Sequence, residues 1–219
     1  MIYHFMGCST FSEYTVLCSI SLAKMPALCD PYQSCLLGCG VPTGWGAVMN
    51  NPNFHANSSV AVWGLGAVGL AVVQAAKMKG ATRIYGIDIN PKKFEIAKEF
   101  GATDCINPLE VNVKETLISK EKWGIDFTYD CTGNVAVMRD ALEMAHRGFG
   151  ESMVIGVASA GKEIATRPFQ LVTGRCWKGT AFGGWKSVLD VPKLANKVLT
   201  GEMPISKYVT NQFEGLSKI

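Results

Sequence analysis

Histidine is scarce in this sequence, and the three that occur stand apart. His4, His55 and His146 fall in no H-x-x-H or H-E-x-x-H spacing, so they read as surface or packing residues rather than ligands. No two of the eight cysteines form C-x-x-C. Several lie in apolar, strand-like runs, where a free thiol behaves as a small buried hydrophobe, which points to a reducing compartment, the cytoplasm. Every long apolar stretch is broken by Gly, Trp or a charge before the roughly 18 residues a membrane span needs. There is no run of like charge and no basic patch interleaved with aromatics. The formal charge of +3 is small and dispersed, which argues against a nucleic-acid partner. The opening residues Met1 to Cys8 lack a charged segment followed by an apolar core, so they do not read as a secretory signal.

What is present is ordinary for a soluble globular protein: 48% hydrophobic and 18% charged residues. A length of 219 residues holds one domain and part of a second, less than a two-domain enzyme of usual size.

The most informative stretch runs from Val60 to Lys79. An apolar run leads into Gly64-Leu65-Gly66-Ala67-Val68-Gly69 and then into helix-forming residues, the strand, turn and helix order that a dinucleotide pyrophosphate requires. Gly64 permits the tight turn, Gly66 keeps a Cβ away from the phosphates, and Gly69 lets the helix approach the strand. The pyrophosphate then rests on free N–H groups at the positive end of the helix. Asp88 ends the next strand-like run about 20 residues further on, placed to accept the ribose hydroxyls of NAD and to repel the 2′-phosphate of NADP.

Around this unit, strand-like segments at 60–63, 83–87, 104–106, 127–130, 153–157 and 176–179 alternate with helical patterns at 67–79, 91–100, 113–119, 135–146 and 187–199. Asn90 and Pro91 mark one helix start and Gly101 its end. The alternation implies an α/β doubly wound parallel sheet of six strands, the Rossmann arrangement of two mononucleotide-binding halves. Residues from Met1 to about Lys24 alternate like short strands, Phe11 to Cys18 most clearly. Gly38 to Ala47 reads as a Gly-rich turn entering a short helix. The expected division is 1–50 as a small β-rich remnant, 51–186 as the nucleotide-binding domain, and 187–219 as a terminal helix and end.

Leu37-Gly-Cys39-Gly-Val-Pro-Thr43-Gly-Trp-Gly-Ala, the glycine turn, Gly86-Ile-Asp-Ile-Asn90, Phe94 to Ile106, and Thr166 to Lys186 together resemble the zinc-dependent medium-chain alcohol dehydrogenases. Within them the chain is most similar to class III, the S-(hydroxymethyl)glutathione dehydrogenases. The resemblance runs over nearly the whole chain. It implies oxidation of the glutathione adduct of formaldehyde, and of primary alcohols, by hydride transfer to NAD on a zinc-polarised oxygen.

For individual residues, the resemblance implies Cys39 as a zinc ligand and Thr43 beside the nicotinamide. It implies Gly64, Leu65, Gly66, Ala67, Val68 and Gly69 under the pyrophosphate, with Asp88 and Lys93 at the adenosine ribose. Ile155, Gly156 and Val157 would pack at the nicotinamide ribose, and main-chain groups at Phe182 would meet the carboxamide. Phe5 and Met6 match substrate-channel positions, and Arg147 a basic position that meets a glutathione carboxylate. The segment from Trp177 to Trp185 is expected at a sheet edge that joins a homodimer. Of the family's three catalytic-zinc ligands only Cys39 has a counterpart here, and its four structural-zinc cysteines have none. Read without the resemblance, Cys39 is a core thiol, Lys93 a solvated helix charge, and Phe5 and Met6 core residues. A catalytically impaired fragment that binds NAD and dimerises is therefore the alternative reading.

Overall fold

The structure, a computed structural model, describes residues 3–218. Met1, Ile2 and Ile219, at the outer ends of the first and last segments read above, lie outside the described residues. The chain separates into two compact units. One is Cys39–Trp185; the other combines the residues up to Gly38 with those from Lys186 on.

In the first unit, helix α2 (Gly40–Met49) precedes strand β1 (Ser59–Trp63), and α1 (Pro31–Ser34) belongs to the other unit. There follow α3 (Ala67–Met78), β2 (Arg83–Ile87), α4 (Phe94–Phe100), β3 (Asp104–Ile106), α5 (Val113–Lys120), β4 (Phe127–Asp130), α6 (Val135–Met144), β5 (Glu151–Val154), α7 (Pro168–Val172) and β6 (Cys176–Gly179). All six strands are parallel, in the order β3-β2-β1-β4-β5-β6. This is the doubly wound order, in which the sheet reverses direction between β1 and β4 and opens a crevice at the strands' C-terminal ends. The central strands β1 and β4 are buried on both faces, Val60, Ala61 and Val62 without any exposure, and their polar residues Ser59, Thr128 and Asp130 are buried with them. On one face Trp63, Tyr85, Leu117, Ile125 and Met144 form a buried cluster beneath α5 and α6.

Helix ends follow their capping residues. Asn112 and Asn134 cap α5 and α6 through side-chain oxygens that accept from Glu115 N–H and Ala136 N–H, and Asn90 caps the turn before α4 in the same way. That turn, Pro91–Lys93, is 3-10 rather than α, so the expected 91–100 helix is two joined pieces. Strand β5 starts two residues earlier than expected and stops at Val154, because the N–H groups of Ile155 and Gly156 both turn to the carbonyl of Asp130. Helix α6 ends at Met144, where Ala145 turns extended and bridges Ile125. The short α7 was not expected, although Pro168 at its first position is the usual signal.

At the N-terminal edge of the sheet, Glu151 accepts from Asn51 Nδ2 at 2.8 Å and pairs with Lys178, and Asn53 also donates to it. Burial by itself would raise this carboxyl; the bonds from Lys178, Asn53 and Asn51 outweigh it and hold the group below the ordinary value.

The second unit contains α8 (Ser187–Leu199), which matches its expected bounds. Its buried residues are Leu37, Leu194, Ala195, Met203 and Ile205. The expected strands before Lys24 are absent among the described residues: 3–30 hold only short 3-10 turns and α-helix is first reached at Pro31. An alternating pattern specifies a strand only where a neighbouring strand takes up its N–H and C=O groups, and residues 11–18 have none.

Candidate functional site: a nucleotide groove at the strand ends

The turn after β1 combines one strained residue, one crowded residue and one open residue. Gly64 has φ +89°, in the left-handed region where an added Cβ is disfavoured. At Gly69 a Cβ would lie 1.8 Å from the carbonyl oxygen of Gly64, so no larger residue fits while α3 meets the strand. At Gly66 a Cβ would meet nothing within 4 Å. Gly66 is the N-cap of α3 and has no side chain to satisfy the helix's first N–H groups. A free helix start facing open space is an anion site, and the residues present fit a pyrophosphate there.

Asp88 closes one side. It is 8% exposed, and its Oδ2 accepts from Leu65 N–H at 2.8 Å while Oδ1 accepts from Asn90 N–H at 2.8 Å. Lys93 Nζ stands 3.4 Å from Oδ2. The carboxylate thus fixes the glycine turn and the start of the next helical segment, and stays at the rim of a cavity of about 420 Å3. Trp63, Ile89, Pro108, Cys131, Thr132 and Val137 are also among its lining residues. None of these six was singled out in the sequence as a site residue. The available signal was Asp130-Cys-Thr-Gly133, which ends β4 as Gly64 ends β1. The buried Asp130 accepts from Thr132 Oγ1 at 2.6 Å and Thr132 N–H at 3.0 Å, and Gly133 takes φ +76°. Burial pushes the Cys131 thiol up, and Asp130 beside it adds to the rise.

The strand ends β4 and β5 are locked together. A Cβ at Gly156 would stand 2.0 Å from Gly133 N, and one at Gly133 would stand 2.4 Å from the carbonyl oxygen of Val157. Ile155 and Gly156 therefore sit at the same edge as the glycine turn, and Val157 projects outward at 92% exposure.

Helix α2 brings Cys39 and Thr43 to this edge. A Cβ at Gly44 would stand 2.1 Å from the carbonyl oxygen of Val68, so α2 lies against the first turn of α3. Thr43 Oγ1 donates to the Cys39 carbonyl at 2.7 Å. The Phe182 turn is fastened to the same helix: Trp185 Nε1 donates to Pro42 O at 3.0 Å, Asn50 Nδ2 to Gly183 O at 2.9 Å, and Trp45 stacks on Trp185 with centroids 6.4 Å apart. Phe182 itself takes φ +51°, a conformation few side chains adopt and one the anchored turn enforces.

The structure thus gathers Cys39, Thr43, the Gly64–Gly69 turn, Asp88, Lys93, Ile155, Gly156, Val157 and Phe182 at one end of the sheet. Arg147 is not among them. It follows α6 at the opposite, N-terminal end of β5, where its N–H bonds the carbonyl of Trp123. Phe5 and Met6 lie in the other unit, 77% and 84% exposed, so the core reading of both is overturned. Trp45 and Trp63 are buried, while Trp177 is only half-buried. The core reading of Cys39 also fails: the residue is exposed at the start of α2. Cys18 and Cys176 are exposed as well, because the strand-like run holding Cys18 forms no sheet and β6, with Cys176, is an edge strand.

Zinc does not find a complete donor set. Among the described residues no three His, Cys, Asp or Glu side chains come together as a metal site, and Cys39 has no second ligand beside it. The chemistry of the groove is that of a nucleotide.

Fold and groove define a dinucleotide-binding α/β protein of the doubly wound class. Residues 67–198 match the family model described as zinc-binding dehydrogenase, and the chain belongs to that family. It is 57% identical over 220 aligned residues to an S-(hydroxymethyl)glutathione dehydrogenase of Photobacterium damsela subsp. piscicida, covering 100% of this chain and 59% of the relative. A protein of the same description from Haemophilus influenzae is 57% identical over 212 residues, 96% of this chain and 56% of that one. The chain therefore spans less than two thirds of the length of these relatives. Among solved structures it is similar to an alcohol dehydrogenase zinc-binding domain protein from Burkholderia ambifaria, with a TM-score of 0.85 at 30% identity over 97% of this chain and 57% of that one. It is also similar to the benzyl alcohol dehydrogenase of Acinetobacter calcoaceticus, with a TM-score of 0.84 at 27% identity, covering 93% of this chain and 56% of that chain.

Proposed function

We propose that this chain supplies the NAD-binding part, residues 51–186, of an NAD- and zinc-dependent S-(hydroxymethyl)glutathione dehydrogenase acting in formaldehyde detoxification. The observation that carries the reading is the open, uncapped start of α3 at Gly66 with Asp88 at its rim. The α3 N–H groups hold the pyrophosphate, and Asp88, with Lys93 beside it, accepts the adenosine ribose hydroxyls. Thr43, Ile155, Gly156, Val157 and main-chain groups at Phe182 orient the nicotinamide end, and Phe5 and Met6 belong to the alcohol channel. NAD accepts a hydride when bound, and these residues position it. The expected preference is NAD over NADP, because a 2′-phosphate would meet the Asp88 carboxylate.

The second reading, an NAD-binding fragment with impaired catalysis, is favoured by the absence, among the described residues, of a three-ligand metal cluster. Zinc catalysis needs three protein ligands and an open position, and its loss removes several kcal/mol of charge stabilisation. We infer a homodimer through the outer edge of β6, which among the described residues pairs only with β5. Eight free cysteines fit a cytoplasmic address; among the described residues no helix is long and apolar enough to cross a membrane.

The test is an assay of S-(hydroxymethyl)glutathione oxidation by this chain with zinc and NAD, run beside a full-length relative. The expected outcome is saturable NAD binding with turnover lower by roughly three or more orders of magnitude. No NAD binding would refute the cofactor assignment. Turnover within tenfold of the relative, with one zinc retained per chain, would refute the impaired reading.

A further inference from the structure

The two helices over one face of the sheet, α5 and α6, do not close on each other. Trp63, Pro108 and Val137 line the nucleotide groove and also a second cavity of about 410 Å3 in the seam between these helices. Lys114 and Met144 line that cavity and also a third, of about 280 Å3, at the opposite edge of the sheet. The seam is thus a trench of three adjoining cavities, bridged by the Lys114–Glu143 pair at 3.9 Å. Its middle has an apolar floor, where Trp63 and Met144 belong to the buried cluster and Val113 and Val137 pack on it from the two helices, while Asn112, Lys114 and Asp140 also line it.

The far end has a different character. Lys114, Lys122, Arg147 and Arg175 line it against a single carboxylate, Glu143. Glu143 is already engaged by Arg139 at 2.8 Å, with Lys114 at 3.9 Å. Arg175 is spent on structure: Nε donates to Ala145 O at 2.7 Å and Nη2 to Glu143 O at 3.1 Å. Lys122 and Arg147 are exposed and have no carboxylate partner among the described residues. Lys122 Nζ rests 5.2 Å above the ring of Trp123, itself 64% exposed at the mouth. Burial lowers the Arg175 pKa, and the charge of Arg147 lowers it further, so the cations at this end repel one another until an anion joins them.

We propose that this trench binds an amphipathic organophosphate, with an apolar chain along the α5–α6 seam and a phosphate dianion on Lys122 and Arg147. The surplus of cations over carboxylates calls for a multiply charged head, and the apolar floor calls for a stem of several methylenes. The site shares only a wall with the nucleotide groove. Neither Lys122, Arg147 nor Val113 lines that groove, so the inference stands or falls separately from the assignment of NAD.

The experiment is calorimetric titration of the purified chain with octyl phosphate, octanoate and inorganic phosphate, with NAD titrated in parallel. Octyl phosphate should bind saturably, at least tenfold more tightly than either simpler anion. In a Lys122→Ala, Arg147→Ala double variant its affinity should fall at least tenfold while the affinity for NAD stays within twofold. Val113→Phe, which fills the stem section, should weaken octyl phosphate tenfold and leave inorganic phosphate unchanged. Both charge changes are at exposed positions, so that variant remains informative if Val113→Phe melts early. Unchanged octyl phosphate binding in the double variant would place the ligand elsewhere and overturn the proposal. Octanoate binding as tightly as octyl phosphate would overturn the choice of a phosphate head.

Discussion

Residues 39–185 and residues 3–30 have similar apolar content in their strand-like runs but opposite fates. In the first region the runs pair as parallel strands, and Val60, Ala61, Val62, Ile84 and Tyr129 are buried. In the second, Phe11, Tyr14, Val16 and Ile20 are each 79% exposed or more, and none of residues 3–30 is fully buried. The difference lies in company rather than composition. A β-rich pattern stabilises nothing until adjacent strands satisfy its backbone, whereas each βαβ unit carries its partner strand and covering helix within about 30 residues. The nucleotide region is therefore self-sufficient, and its function is carried by geometry that its own core enforces.

The largest break in this contrast is expected from Gly69→Val. Its side chain would collide with the Gly64 carbonyl, and melting should show destabilisation of about 3 kcal/mol or more together with loss of NAD binding. Next is Asp88→Ala, which removes both the ribose acceptor and the acceptor for Leu65 N–H. NAD affinity should drop on the order of tenfold, about 1.4 kcal/mol, with NADP affected less, as parallel titrations would reveal. Equal losses for the two cofactors would mean that Asp88 serves the turn alone.

Glu151→Gln sharpens the comparison through pH. The folded state holds this carboxyl below its ordinary value, so its contribution to stability is complete above the unfolded value and is lost as pH falls through the folded one. Denaturation followed across the acid range should show a steeper loss for the wild-type chain than for the variant. A variant with the same acid slope would assign that loss to other carboxylates. The smallest effect is expected from Phe11→Ala, within about 0.5 kcal/mol in urea unfolding, since the ring is 79% exposed. A change of 2 kcal/mol would show that the opening segment packs more firmly than its exposure indicates.

Much of the nucleotide region was legible because its signals are local. Asn90 with Pro91, Gly101, and the spacing of Gly64, Gly66 and Gly69 each demand a particular backbone, and strands 83–87, 104–106, 127–130 and 176–179 fall where the apolar runs do. The far end of β5 was misread because its stop is set by the carbonyl of Asp130 on the neighbouring strand, a partner no local pattern reveals. The remainder of the groove was missed for a similar reason. Pro108, Thr132 and Trp63 come from three different strand ends and are brought together only by the order β3-β2-β1-β4. Arg147 shows the converse: family likeness put it with the substrate, whereas within one chain the parallel sheet sets it at the opposite edge.

The central claim is that the space above Gly66 is kept open for a pyrophosphate, and Gly66→Val tests it most directly. A Cβ there meets no protein atom, so the variant should melt within a few degrees of the wild-type chain. Calorimetric titration with NAD should nevertheless show affinity reduced at least tenfold, because the added side chain occupies the place of the phosphates. Undiminished NAD binding by a folded Gly66→Val chain would contradict the account.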